Sequence, residues 1–220
     1  MQRVNWDSHR AERTGIAEAV YCPGKSAGVL IEILEHHLKA ATSVLLTRLD
    51  RQVYDGFADS YKAQMEYHEQ GNIAIFNKKD KALRDSEICI VTAGSSDLRL
   101  ACEAQVTLKY YGYNTPVIAD VGVAGLHRLL NRLDEIKKYK LVIAIAGMEG
   151  ALFSVLAGLI SAPVIALPSS VGYGVSENGQ AALSSALSAC APGILTVNID
   201  NAFGAATAAI KICQQFLQSE

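Results

Sequence analysis

The sequence predicts an α/β protein, a three-layer α/β/α domain on a mostly parallel sheet preceded by a small α+β domain. Three observations lead there. From Ser86 onward, short β-rich runs alternate with helical stretches, each run is apolar on both faces, and the residues following the runs are small or polar. Strands that are apolar throughout and separated by a dozen or more residues suit a parallel sheet covered on both sides, with right-handed crossovers. The chain changes character near residue 85, which gives an α+β domain over 1–85 and an α/β domain over 86–220.

In the charged and mixed first part, the apolar spacing predicts a helix from Ser26 to Ala40, a short strand at Ser43–Thr47 and a polar helix from about Asp55 to Glu69. The strands predicted beyond it are Glu87–Thr92, Thr115–Ala119, Leu141–Ala146, Val164–Leu167 and Ile194–Ile199. Leu141 to Pro168 is long and apolar enough in principle to cross a bilayer. Gly147-Met148-Glu149-Gly150 and Ser161-Ala162-Pro163 cut it into strand- and helix-sized pieces, so it reads as buried core and no membrane partner is expected.

Composition narrows the function classes. The 220 residues carry 20 Lys+Arg against 22 Asp+Glu, a net charge of -2. Without a basic stripe, the attraction to phosphates that drives nucleic-acid binding has no source, so nucleic acid is not an expected partner. The five cysteines are far apart, with no CxxC pair and no zinc-finger spacing, and read as free thiols. The polar start Met1-Gln2-Arg3-Val4 lacks a secretory signal, which places the chain in the cytoplasm by expectation.

Ligands of open parallel sheets bind beyond the carboxyl ends of the strands. The segments there are Ala93–Asp97, Asp120–Gly125, Gly147–Gly150, Pro168–Gly174 and Asp200–Gly204. Gly94-Ser95-Ser96-Asp97 is either a phosphate cradle at a helix amino terminus or a cap and tight turn, the commoner use of such residues. Neither a GxGxxG fingerprint nor a Walker lysine is present. Glu149 is the only charged residue between Lys140 and Glu177. It is either a proton-transfer group raised in pKa by partial burial or a carboxylate placed on a helix amino terminus. Cys190 is either a reactive thiol or a small buried hydrophobe, and Cys89, Cys102 and Cys213, in apolar-periodic segments, are hydrophobes. His127 and Arg128 are either proton or phosphate contacts or a surface pair on a helix. The small face Ala205, Ala206, Ala208 and Ala209 suggests close helix packing.

Six segments in order resemble the LarB family, pyridinium-3,5-biscarboxylic acid mononucleotide synthases whose carboxyl-terminal domain is similar to PurE-type aminoimidazole ribonucleotide carboxylases/mutases. They are Thr92-Ala93-Gly94-Ser95-Ser96-Asp97, Asp120-Val121-Gly122-Val123-Ala124-Gly125-Leu126-His127-Arg128, Ala146-Gly147-Met148-Glu149-Gly150, Pro168-Ser169-Ser170-Val171-Gly172-Tyr173-Gly174, Cys190-Ala191-Pro192-Gly193 and Asn198-Ile199-Asp200-Asn201. Upstream, Asp7-Ser8-His9-Arg10, Arg13-Thr14-Gly15, Gly24-Lys25 and Thr47-Arg48 resemble the same family's amino-terminal signature, so the likeness covers nearly the whole chain. Phe153 stands where a proline is expected, Ser188-Ala189 where Asn-Ser is, and Ala202 where a glycine is.

The resemblance implies a PurE-like core and a substrate, nicotinic acid adenine dinucleotide. It implies carboxylation of the pyridinium ring at C5 and hydrolysis of the phosphoanhydride to release AMP, on the way to a nickel-pincer nucleotide cofactor. Cys190 is implied as covalent nucleophile and Glu149 as its acidic neighbour. Gly94, Ser95, Ser96 and Asp97 are implied to hold phosphate and ribose, and Asp120, His127, Arg128, Ser169, Ser170, Asp200 and Asn201 to complete the substrate contacts. CO2 or bicarbonate is the co-substrate, NAD a substrate analogue, and Mg2+ a companion of the pyrophosphate. No tightly bound cofactor is expected, and the assembly is expected to be a homo-octamer. A purine-pathway carboxylase/mutase and a non-catalytic nucleotide-binding regulator are the alternatives.

The implied chemistry is physically coherent. A pyridinium ring is too electron-poor to attack CO2, but a thiolate added at C4 makes C5 an enamine carbon and therefore nucleophilic. Loss of the C5 proton and expulsion of the thiolate then restore the aromatic ring. The thiolate needs a helix end or a cation to favour it.

Overall fold

The computed structural model describes residues 4–79 and 82–217; Met1–Arg3, Asp80, Lys81 and the last three residues lie outside them. It divides into two compact units between Ala82 and Leu83. The first contains α1 (Arg10–Thr14), β1 (Val20–Tyr21), α2 (Ala27–Lys39), β2 (Val44–Thr47), α3 (Arg51–Asp55), α4 (Asp59–Lys62), β3 (Met65–His68) and β4 (Ile73–Phe76). Its sheet runs β1-β2-β4-β3, with β1 parallel to β2 and the other neighbours antiparallel.

The helix expected at Ser26–Ala40 is α2. Ser26 caps it by accepting the Val29 N–H, and Leu30, Ile33, Leu34 and His37 form its buried stripe at helical spacing. The polar helix expected over Asp55–Glu69 is corrected to two short helices and a strand. Gly56 ends α3, the buried Phe57 separates it from α4, and Met65–His68 pairs antiparallel with Ile73–Phe76. The partner strand is the reason: β4 is fully buried, and pairing along it satisfies the backbone of β3 better than a solvated polar helix would.

The second unit begins with β5 (Arg84–Asp85) and β6 (Ile88–Thr92), followed by α5 (Leu98–Tyr110), β7 (Tyr113–Asn114), β8 (Val117–Ile118) and α6 (Leu126–Ile136). It continues through β9 (Leu141–Ala146), α7 (Ala151–Ala157), β10 (Val164–Pro168), α8 (Gln180–Leu187), β11 (Ile194–Thr196) and α9 (Ala202–Leu217). The five-stranded sheet has the order β11-β10-β9-β6-β8 and is parallel throughout. Helices α5 and α9 pack together on one face, and α6, α7 and α8 cover the other. This is the predicted three-layer α/β fold.

The inner strands β6, β9 and β10 are buried at every residue, as continuous apolar runs between two helical layers must be. The strand expected at Thr115–Ala119 is reduced to Val117–Ile118, and β11 ends at Thr196 with Leu195 half exposed, because both are edge strands. The apolar stretch from Leu141 to Pro168 resolves into β9, α7 and β10. No helix among the described residues is long and apolar enough to cross a membrane.

Candidate functional site

In chain order the sheet reads second, first, third, fourth, fifth, so its direction of winding reverses between β6 and β9. The chain leaves these two strands toward opposite faces and opens a crevice between them. A cavity of about 560 Å³ occupies that place, lined by Gly94, Ser96, Asp97, Asp120, Arg128, Met148, Glu149 and Tyr173 among others.

The loops around it meet backbone to backbone. A Cβ on Gly122 would stand 2.7 Å from the Ala93 carbonyl oxygen, and one on Gly147 would stand 2.2 Å from that of Val171. Three non-glycine residues in these strand-end loops, Asp120, Met148 and Asp200, hold the left-handed conformation, with φ of 57°, 52° and 56°. Such strain persists only where surrounding structure overdetermines it, and it gathers at functional sites.

The sequence Gly94–Asp97 forms a single 3₁₀ turn that leads into α5. Asp97 is buried; its Oδ2 accepts the Gly94 N–H at 3.0 Å, while Oδ1 has no hydrogen-bond partner. Burial raises its pKa, with hydrogen bonds from Gly94 and Ser169 pulling the other way and the charge of Asp200 adding to the rise. Opposite stands Arg128, ion-paired with Asp120, whose own N–H donates to Thr92 Oγ1 at 3.2 Å. Glu149 lies in the turn between β9 and α7 and is exposed at the cavity wall, so the partial burial expected for it is corrected. Gly147 forces this: its backbone is pressed against Val171, and the turn carries the next two residues outward.

The remaining expected site residues divide. Ser170 donates its N–H and hydroxyl to the two Asp200 carboxylate oxygens at 2.9 and 2.6 Å, and Arg99 lies 3.5 Å from the same carboxylate. Asn201 Oδ1 accepts the Gly204 N–H and caps α9, and Ser169 links to Asp97. These four fasten the loops behind the cavity and do not line it. Ser95 is exposed beside the wall, and His127 is exposed on the first turn of α6, outside the lining. Sequence reasoning missed Arg99, three residues beyond the Ser95-Ser96 pair, and did not single out Tyr173, which is 76% exposed at the mouth.

Cys190 requires a larger correction. Its motif follows α8 and precedes β11, with Val164 N–H donating to the Gly193 carbonyl at the start of β10. It therefore lies at the amino edge of the sheet, whereas the other five motifs follow strands at the carboxyl edge. The helix end beside it is the carboxyl terminus of α8, the pole that attracts cations, and not the pole that favours a thiolate. Cys190 is nonetheless the one exposed cysteine of the five. Burial pushes the Cys22 and Cys89 thiols up to about 12 and raises that of Cys213.

Comparison with known families now decides the ancestry. Residues 1–79 match the LarB/PurE-like N-terminal domain, and residues 87–218 match the AIR carboxylase family. The chain belongs to the LarB family. An uncharacterized protein of Methanocaldococcus jannaschii is 34% identical over 212 residues, covering 93% of this chain and 81% of its own. The N5-carboxyaminoimidazole ribonucleotide mutase of the same organism is 38% identical over 130 residues, 57% of this chain and 77% of the mutase. Among solved structures, a single-site variant of PurE2 from Treponema denticola superposes with a TM-score of 0.50 at 25% identity, covering 61% of this chain and 82% of that one. The LarB-family chain is thus an enzyme of the PurE-like carboxylase/mutase type, with its cavity at the switch point of the AIR carboxylase domain.

Proposed function

We propose that this protein carboxylates nicotinic acid adenine dinucleotide at pyridinium C5 and hydrolyses its phosphoanhydride, giving pyridinium-3,5-biscarboxylic acid mononucleotide and AMP. The observation that carries this reading is the contrast among the cysteines. Three are buried and one is half-buried, while Cys190 is open to solvent in a family motif. An aminoimidazole substrate already has a nucleophilic carbon and needs no thiol; a pyridinium ring has none until a thiolate adds to it.

In this reading the thiolate of Cys190 bonds to C4, the ring becomes a neutral dihydropyridine, and C5 attacks CO2. Glu149, exposed at the cavity wall, takes the C5 proton, and because Cys190 lies at the opposite edge of the same chain's sheet, the thiol comes from a neighbouring copy in the expected homo-octamer. The S–C4 electron pair returns to sulfur, so pyridinium and thiolate are regenerated and the net change is exchange of a ring proton for a carboxylate. Ser96 and the amino end of α5 hold phosphate, Asp97 hydrogen-bonds ribose, and Arg128 supplies positive charge. CO2 or bicarbonate is the co-substrate, NAD is a substrate analogue that forms the thiol adduct, and Mg2+ accompanies the pyrophosphate.

The test is incubation with nicotinic acid adenine dinucleotide and ¹³C-bicarbonate, with products weighed by mass spectrometry. A labelled dicarboxylated mononucleotide together with AMP is expected. Unchanged substrate, with turnover of N5-carboxyaminoimidazole ribonucleotide instead, would establish the mutase reading that the 38% identical relative favours.

A further inference from the structure

We propose that the first unit holds a second binding site, a pocket for an adenine base presented as a nucleoside or nucleotide, formed by Trp6, His36, His37 and Glu18. It goes beyond the reaction proposed above and does not rest on it. Every residue concerned belongs to the unit that ends at Ala82.

The place is a cavity of about 410 Å³, within the roughly 300–1,000 Å³ of small-molecule sites. Three rings wall it. The His37 imidazole stands perpendicular to the Trp6 indole at 4.5 Å and to the His36 imidazole at 5.3 Å, while Trp6 and His36 are tilted by 43° at 6.3 Å. His36 and His37 are successive residues in the last turn of α2, so they project about 100° apart around it. Trp6 comes from the irregular segment before α1 and closes the third side.

His37 carries the unmet group. It is 3% exposed, its Nδ1 is 2.7 Å from Thr42 Oγ1, and its Nε2 has neither a hydrogen-bond partner nor contact with solvent. A buried nitrogen in that condition costs free energy until something bonds to it. The other buried positions of α2 are Leu30, Ile33 and Leu34, and a fourth apolar side chain would complete that stripe without the cost. Burial, with the charge of His36 adding to it, pushes the His37 pKa down to about 4, so the ring is neutral near pH 7 and attracts no anion.

Charge and hydrogen-bond count select the ligand. Arg13 takes both Asp7 carboxylate oxygens, at 2.9 and 2.6 Å, and Lys79 shares the wall with Glu18, so a strongly charged group gains little there. Glu18 Oε2 accepts the Asp7 N–H at 2.8 Å, which leaves Oε1 for one further donor. One oxygen answers one exocyclic amine, as on adenine, whereas guanine presents two adjacent N–H donors that ask for a whole carboxylate. With Nδ1 accepting from the Thr42 hydroxyl, the His37 proton sits on Nε2 and is donated to a ring nitrogen of the base. The Trp6 indole shifts off His37 to stack on the purine face, and the sugar with any phosphate points to solvent.

Trp6 is the single tryptophan of the chain, so its fluorescence reports this pocket and not the cavity of the second unit. Titrating the full chain with adenosine is expected to change that emission with a dissociation constant at or below about 1 mM. AMP is expected to follow within about threefold, and guanosine to bind at least about tenfold more weakly. His37→Asn keeps a partner for Thr42 at the Nδ1 position and removes Nε2; it is expected to weaken adenosine by about tenfold with the far-ultraviolet spectrum unchanged. Unaltered emission with both adenosine and AMP would overturn the site, and an equal response to guanosine would overturn its assignment to adenine. Undiminished binding in a folded His37→Asn would take His37 out of it, and where that variant does not fold, the comparison of bases in the wild-type chain decides. Absence of ¹³C-bicarbonate incorporation would sink the proposed reaction and leave this pocket standing.

Discussion

The two edges of the parallel sheet are built on different principles. At the carboxyl edge, loops meet through glycine backbones, residues adopt left-handed conformations, and polar groups are fastened in pairs such as Ser170–Asp200 and Asp120–Arg128. At the amino edge, the loop before β11 carries an exposed thiol, with exposed leucines nearby. The first edge is built of constrained loops around a cavity; the second is simple in construction and holds one exposed thiol. The difference teaches that precision of backbone placement and exposure of a nucleophilic side chain need not be located together in a fold.

The sharpest way to break this comparison is Cys190→Ala. Ring carboxylation is expected to fall by about 1,000-fold or more, while chain stability changes by less than about 0.5 kcal/mol because the side chain is exposed. Product mass spectrometry beside thermal melting checks both halves. A large loss of stability would contradict the simple character assigned to the amino edge.

At the opposite edge, function and stability should fall together. Gly147→Ala places a methyl where the Val171 carbonyl already stands, so the turn carrying Glu149 must move. A loss of about 100-fold in kcat/KM is expected, with about 1–3 kcal/mol of destabilisation, measured by steady-state kinetics and urea unfolding. A smaller effect is expected from Ser96→Glu, which sets a carboxylate on the exposed cavity wall where the proposed function seats phosphate. Substrate affinity should weaken by roughly tenfold with the assembly unchanged, as titration calorimetry and light scattering would show.

The smallest effect concerns pH. Burial raises the Asp97 pKa above its ordinary 3.8, so the folded chain holds that proton more tightly than the unfolded chain. The stabilising share is complete below 3.8 and is lost as pH rises through the folded value. At neutral pH, Asp97→Asn is therefore expected to be the more stable chain, the advantage vanishing below pH 3.8, with weaker substrate binding. Melting curves across pH measure it; an advantage that persisted in acid would exclude desolvation as its cause.

Legibility in the sequence followed the range of the interaction responsible. Leu141–Ala146 was readable as a strand because burial on two faces demands an unbroken apolar run. Ser26 and the stripe from Leu30 to His37 marked α2 because caps and helical spacing are local. The segment Met65–His68 predicts helix by itself because its polar residues satisfy a helix equally well, and only Ile73–Phe76 beside it makes a strand. The cavity wall was legible for Gly94, Ser96 and Asp97 as residues after a strand. Arg99 was not, since nothing in its neighbours announces the pairing with Asp200 a hundred residues later.

By itself the sequence determined the α/β class, the strands that form the inner sheet and the family, because all three depend on residue pattern along the chain. Tertiary structure alone decided which motifs share an edge. Six motifs follow one another in sequence, and a parallel sheet sends five of them to one side. Cys190 goes to the other because it ends a returning helix instead of a strand. Direction of travel through the sheet is a property of the folded chain, and no residue type encodes it.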